Sequence, residues 1–107
     1  MTTKRAFKES PSVQGADEII AYRLTTTPWG SSPTAVNVVV YDVTDPTVAW
    51  VNVTSTVMPT NTPTVSGDVI TLSPLKLLTD GKVYRIEIRF TCSGNTFEAY
   101  GIIAGGE

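Results

Sequence analysis

Alternation of apolar and polar residues is strictest near the C-terminus. There Tyr84, Ile86, Ile88 and Phe90 interleave with Arg85, Glu87, Arg89 and Thr91. A period of two puts the first set on one face of a strand and the second set on the other. Ser93, Gly94 and Asn95 supply a turn, after which Phe97, Ala99, Gly101 and Ile103 share the face of Ile86, Ile88 and Phe90. That parity holds for a turn centred on Ser93-Gly94 or on Gly94-Asn95. The first register is preferred because it sets Glu98 opposite Arg89 as an exposed pair.

Upstream, Leu75 and Leu78 precede an Asp80-Gly81 turn and Tyr84. This is the pattern of one end of a Greek-key β-sandwich. The leucines plug the sandwich end, the tyrosine ring enters the core, and its hydroxyl turns back to backbone left unpaired at the corner. Other strands are expected over 18–24, 35–43, 48–58 and 69–72, with a loop over 25–33 and a polar connection over 59–67 that has room for a seventh strand. The facing of 35–43 stays open, since Val36, Val38 and Val40 form one apolar row and Val39, Tyr41 and Val43 another. Parity turns Trp50 outward, although a β-bulge would reverse it. Helix signals are nearly absent, since no window of a dozen residues keeps an apolar period of 3.6. The expectation is all-β, with about seven antiparallel strands: a flexible basic arm over 1–16, a sandwich over 17–104 and a frayed end over 105–107.

Composition agrees with this picture. The 107 residues suit a single domain, and 17 Thr with 13 Val favour pleated sheet. The net charge is −2, yet Lys4, Arg5 and Lys8 cluster at the start, and no Lys or Arg occurs between Arg23 and Lys76. That basic cluster is a candidate protein contact, and no nucleic-acid partner is expected from so small a footprint. Met1 to Ser12 has no apolar signal-peptide core, and no apolar run is long enough to span a membrane, so synthesis in the cytoplasm is expected.

Chemistry is narrowed sharply by the absence of histidine. The usual general base, the commonest metal ligand and every Ser-His or Cys-His nucleophile are excluded. Cys92 is the only cysteine, which rules out an internal disulfide and a structural zinc site, and it reads as a small buried hydrophobe. Ser73-Pro74-Leu75-Lys76 matches a Ser-x-x-Lys pattern without the companion elements that give it meaning. Asn52-Val53-Thr54 is a glycosylation sequon without a secretory signal. Asp42, Asp45 and Asp68 are either calcium ligands at one sandwich end or turn-forming residues, and the turn reading is favoured. No catalytic residue, metal or cofactor is expected, and the chain is read as a non-enzyme.

The chain resembles small immunoglobulin-like proteins encoded among phage and prophage structural genes, some labelled fibre–tail adaptor or neck-associated. The likeness rests on the basic lead Met1-Thr2-Thr3-Lys4-Arg5-Ala6-Phe7 and the stretch from Thr64 to Leu72. It continues through Leu78-Thr79-Asp80-Gly81-Lys82-Val83-Tyr84-Arg85-Ile86 and closes with Gly94-Asn95-Thr96-Phe97-Glu98-Ala99-Tyr100. The Leu…Gly…Tyr corner is similar to that of fibronectin type III sandwiches, so the likeness speaks to fold more than to function. It implies a virion tail or neck component or assembly accessory that acts by protein docking or self-assembly. Lys4, Arg5, Lys8, Val39 and Tyr41 are then the candidate contacts. The alternative is a carbohydrate-binding or adhesive module using Trp29 and Trp50 as an aromatic platform.

Overall fold

The computed structural model describes residues 4–6, 12–27, 29–30 and 32–106. Within them the chain forms nine strands and one helical turn. The longest strands are β8 (Val83–Cys92) and β9 (Asn95–Gly106), the alternating C-terminal hairpin. Arg89 lies opposite Glu98 and Phe90 opposite Phe97, which centres the turn on Ser93-Gly94. Both turn residues have positive φ, 52° and 80°, as a type I′ hairpin requires.

β4 (Thr34–Asp42) pairs antiparallel with β8, and the two-residue β5 (Val51–Asn52) pairs with β4. On the other side of β9, β1 (Lys4–Ala6) and β2 (Ser12–Gly15) add in parallel, giving the order β1-β9-β8-β4-β5 with β2 also on β9. A second sheet has the order β3-β7-β6, from β3 (Arg23–Thr25), β7 (Val69–Thr71) and β6 (Thr64–Ser66). The two sheets make an all-β sandwich without a disulfide. Its core gathers Leu24, Val38, Val40, Ile70, Leu72, Ile86, Ile88, Phe90 and Ile103, with Leu75 and Leu78 buried beside them. Val38 and Val40 face inward, which resolves the ambiguity of the second expected strand.

The tyrosine-anchored corner is present. Tyr84 is buried, and the Thr79 amide donates to its hydroxyl oxygen at 2.9 Å. A hydrogen bond of this kind contributes about 1 kcal/mol net and removes an unpaired donor where the chain passes between sheets.

Several expectations need correction. The described residues form nine strands rather than about seven, and β1 and β2 run parallel rather than antiparallel to β9. Of the expected strand over 18–24 only the end lies in β3, with a single bridge from Ile20 to Leu75 before it. The segment 48–58 is not one strand: after β5 the chain turns through α1 (Thr54–Val57). Thr54 explains the break, because its Oγ1 accepts from the Val40 amide at 2.8 Å while donating to Asn52 Oδ1 at 2.7 Å, and the Val40 carbonyl accepts from the Val53 amide at 2.9 Å. A side chain thereby serves the edge of β4 where a longer β5 would have paired. Val57 and Met58 then drop into the core.

The end over 105–107 is not frayed through Gly106. The Gly105 amide donates to Lys82 O at 2.8 Å, and its carbonyl accepts from the Gly81 amide at 3.0 Å. Glu107 lies outside the described residues.

The stretch 1–16 also contains strands, β1 and β2, and Gln14 is wholly buried. Its Nε2 donates to Leu75 O at 2.7 Å and to Glu18 O at 3.0 Å, while its Oε1 accepts from the Tyr22 hydroxyl at 2.8 Å. A polar residue hides this strand from hydropathy, and burial is tolerated because every polar end has a partner. Gln14→Ala should therefore cost about 1–3 kcal/mol by orphaning these groups, seen as a lower urea midpoint at unchanged slope. A change within about 0.5 kcal/mol, as at an ordinary surface site, would show that β2 is not held this way.

Candidate functional surface

The outer face of the larger sheet follows from the same parity that builds the core. With Tyr84, Ile86 and Ile88 inward on β8, Arg85, Glu87 and Arg89 point outward. Register then aligns three rows across the sheet: Tyr41–Arg85–Ile102, Val39–Glu87–Tyr100 and Asn37–Arg89–Glu98. These rows carry aromatic, aliphatic and charged groups where sheet amphipathicity alone would ask only for polar ones.

Trp50 enters from the segment before β5, 49% exposed, and its ring stands 5.8 Å from that of Tyr41 at a tilt of 48°. The Arg85 guanidinium carbon lies 5.1 Å from the Trp50 ring centre and 4.0 Å from the Tyr100 ring centre. Each cation–π contact of this kind is worth roughly 0.5–2 kcal/mol, more as water is excluded. Nε of Arg85 donates to Glu87 Oε2 at 2.8 Å. The Arg85 side chain is consequently only 15% exposed although it sits on an outer face. Beside this cluster runs a shallow groove lined by Asn37, Val39, Tyr41, Glu87, Arg89 and Glu98. Val48 and Val51, either side of Trp50 in sequence, are exposed and extend the apolar area.

Of the residues singled out from sequence, Val39, Tyr41 and Trp50 come together on this face. Trp29 does not join them. Its ring is 5.6 Å from that of Phe90, an inward residue, so it covers the core at one sandwich end. Trp29 and Trp50 therefore lie on opposite sides of the β8 sheet and do not form one platform. Lys4 and Arg5 fall in β1, paired in register with Glu98 and Ala99, and Lys8 lies outside the described residues. Arg89 and Glu98 lie opposite each other in register, and Lys82–Asp42 and Arg85–Glu87 are close ion pairs.

Asp42 and Asp45 are held in local turns, and Asp68 by a contact from a distant loop. The Thr44 hydroxyl donates to Asp42 Oδ1 at 2.6 Å and holds that carboxyl below its usual range, helped by the Thr44 amide and by Lys82. The Thr47 hydroxyl does the same for Asp45. Asp68 accepts from the Thr27 hydroxyl at 2.9 Å. No group of three or more His, Cys, Asp or Glu that could hold a metal occurs among the described residues. Cys92 is buried near Gly30, where an added Cβ would come within 2.8 Å of its own Cβ. No helix among the described residues is long and apolar enough to cross a membrane.

Sequence inspection missed Arg85 and Tyr100 as members of the surface. The signal was available in the hairpin register, which sets Tyr100 opposite Glu87 and one pleat step diagonal to Arg85. No family model matches this chain, and comparison with curated proteins found no relative.

Proposed function

We propose that this chain is a non-enzymatic docking module of the immunoglobulin-like Greek-key type, a structural or assembly component of a phage or prophage tail or neck. The sheet orders support the fold type. Strands β3-β7-β6 face β9-β8-β4, the arrangement of the B-E-D and G-F-C strands in immunoglobulin sandwiches, and the tyrosine corner stands at the expected crossing. The virion role rests on the resemblance of the basic lead, the Leu78–Tyr84 corner and the closing strand described above.

The observation that carries the docking function is Arg85 held between Trp50 and Tyr100 on a solvent-facing sheet. Trp, Tyr and Arg are the side chains that dominate protein–protein binding energy, and they do so in clusters ringed by near-neutral contacts. Charge on this face is mixed, with Arg85 and Arg89 beside Glu87 and Glu98, which favours a protein partner over a polyanion.

The test is co-expression with the products of the reading frames adjacent to its gene. Wild-type protein should co-purify with one of them, whereas Trp50→Ala should lose at least about 2 kcal/mol of that affinity. Its unfolding free energy should fall by only about 0.5–2 kcal/mol, the worth of the lost contact with Arg85, leaving a cooperatively folded domain. Undiminished association of Trp50→Ala would remove this face from the account. Quenching of Trp50 fluorescence by a glycan panel, with no protein partner found, would favour the carbohydrate alternative.

A further inference from the structure

Arginine carries five N–H donors in a rigid planar fork and cannot lose its charge. Arg85 uses one of them within the described protein, the 2.8 Å bond from Nε to Glu87. Its Nη groups have no described partner, although the side chain is only 15% exposed. A charge so far withdrawn from water is normally matched through several hydrogen bonds. A structural Arg–Glu pair would be expected to close both prongs of the fork on one carboxylate. Here a single prong is closed, and the guanidinium carbon stands within 5.1 Å of the Trp50 ring centre and 4.0 Å of the Tyr100 ring centre.

From this we infer that Arg85 reads a carboxylate: the partner is a protein segment presenting an Asp or Glu side chain to the Nη edge, with an apolar neighbour resting on Trp50. The inference rests on the docking reading above and adds the chemistry of the partner. Three features of the face support it. The fork matches carboxylate geometry in a way a point charge does not. Because the cation is already clamped, little rotamer freedom is lost on binding, which is how a preorganised group strengthens an interface. The adjoining groove is lined by Arg89 together with Glu87 and Glu98, a mixed lining that suits a single carboxylate beside an apolar neighbour better than a polyanion.

The test uses the full-length protein labelled with ¹⁵N, following the Arg85 Nε–H and Trp50 indole N–H signals. Two end-blocked hexapeptides serve as probes, one alternating leucine with glutamate and the other leucine with glutamine; inorganic phosphate is a third. The acidic peptide should move both signals in a saturable way. The glutamine peptide should bind about tenfold or more weakly, the loss expected for a charge-assisted hydrogen bond. Arg85→Gln removes the charge and should abolish the preference between the two peptides, whereas Arg85→Lys keeps the charge without the fork and should retain only part of it.

Equal binding of both peptides, with Trp50 shifted, would overturn the carboxylate assignment and leave apolar docking standing. Absence of any Arg85 shift with the acidic peptide would also overturn it, as would phosphate binding as tight as that peptide. The docking reading itself falls if Trp50→Ala leaves association with the natural partner intact or if no protein partner is found, so the two failures are distinct.

Discussion

Phe90→Ala should lower the unfolding free energy by about 3–5 kcal/mol, among the largest losses any single truncation in this protein can give. Phe90 has no exposed surface. Its ring contacts Trp29 at 5.6 Å and Phe97 at 5.8 Å, so removal empties the place where the loop, the hairpin and the inner face of β8 meet. Two aromatic neighbours would lose a partner at once, and a backbone paired on both sides cannot collapse into the space. A domain of this size holds only about 5–15 kcal/mol in total, so urea denaturation would show the loss as a large fall in midpoint. Arg89→Ala, one residue away on the opposite face, should change stability by no more than about 0.5 kcal/mol. Comparable losses at the two positions would mean that the strand's inner and outer faces have been exchanged.

Gly105→Ala should destabilise by about 1–3 kcal/mol or more, a large effect for one added methyl. A Cβ built at Gly105 falls 2.9 Å from the carbonyl carbon of Thr79 and closer still to its oxygen, which is backbone and cannot rotate away. The same glycine pairs with Gly81 and Lys82, and the Thr79 amide is tied to the Tyr84 hydroxyl. The methyl therefore prises the end of β9 from the corner that the tyrosine anchors. Faster hydrogen exchange at the Gly81 and Gly105 amides would localise the damage. Gly106→Ala is the control, because its added Cβ meets only Val13 Cγ1, at 3.0 Å. If both substitutions were equally mild, the strand end would not be packed against the corner.

The legible parts of this fold share one property: the information lies within a single strand or a single turn. Alternation in β8 told which of its residues enter the core, and the Ser93-Gly94 turn set the register of β9 without reference to any other element. The Tyr84 corner was equally local, since donor and acceptor are five residues apart. Gln14 was not legible, because a polar side chain becomes a core residue only when Leu75, Glu18 and Tyr22 converge on it. The glycine-rich end looked unstructured for a related reason: absence of a side chain is a turn signal in sequence and a packing requirement beside the Thr79 backbone.

The candidate surface divides along the same line. Outward orientation of Arg85, Glu87 and Trp50 follows from parity in their own segments. That Trp50 and Tyr100 close on Arg85 from two sides depends on β5 and β9 both flanking the β4–β8 pair, a long-range pairing that no local pattern encodes.

By itself, then, the amino-acid order determined an all-β chain, the inward faces of its C-terminal hairpin, the tyrosine-anchored crossing and the absence of histidine-based chemistry. Each follows from side-chain period, turn stereochemistry or a missing functional group. Tertiary structure alone decided which apolar row of β4 is buried, that Trp29 covers the core, that Trp50 stands beside Tyr41, and that one arginine lies against two rings. Those outcomes depend on which strands become neighbours, and neighbours are chosen by the burial of the whole core.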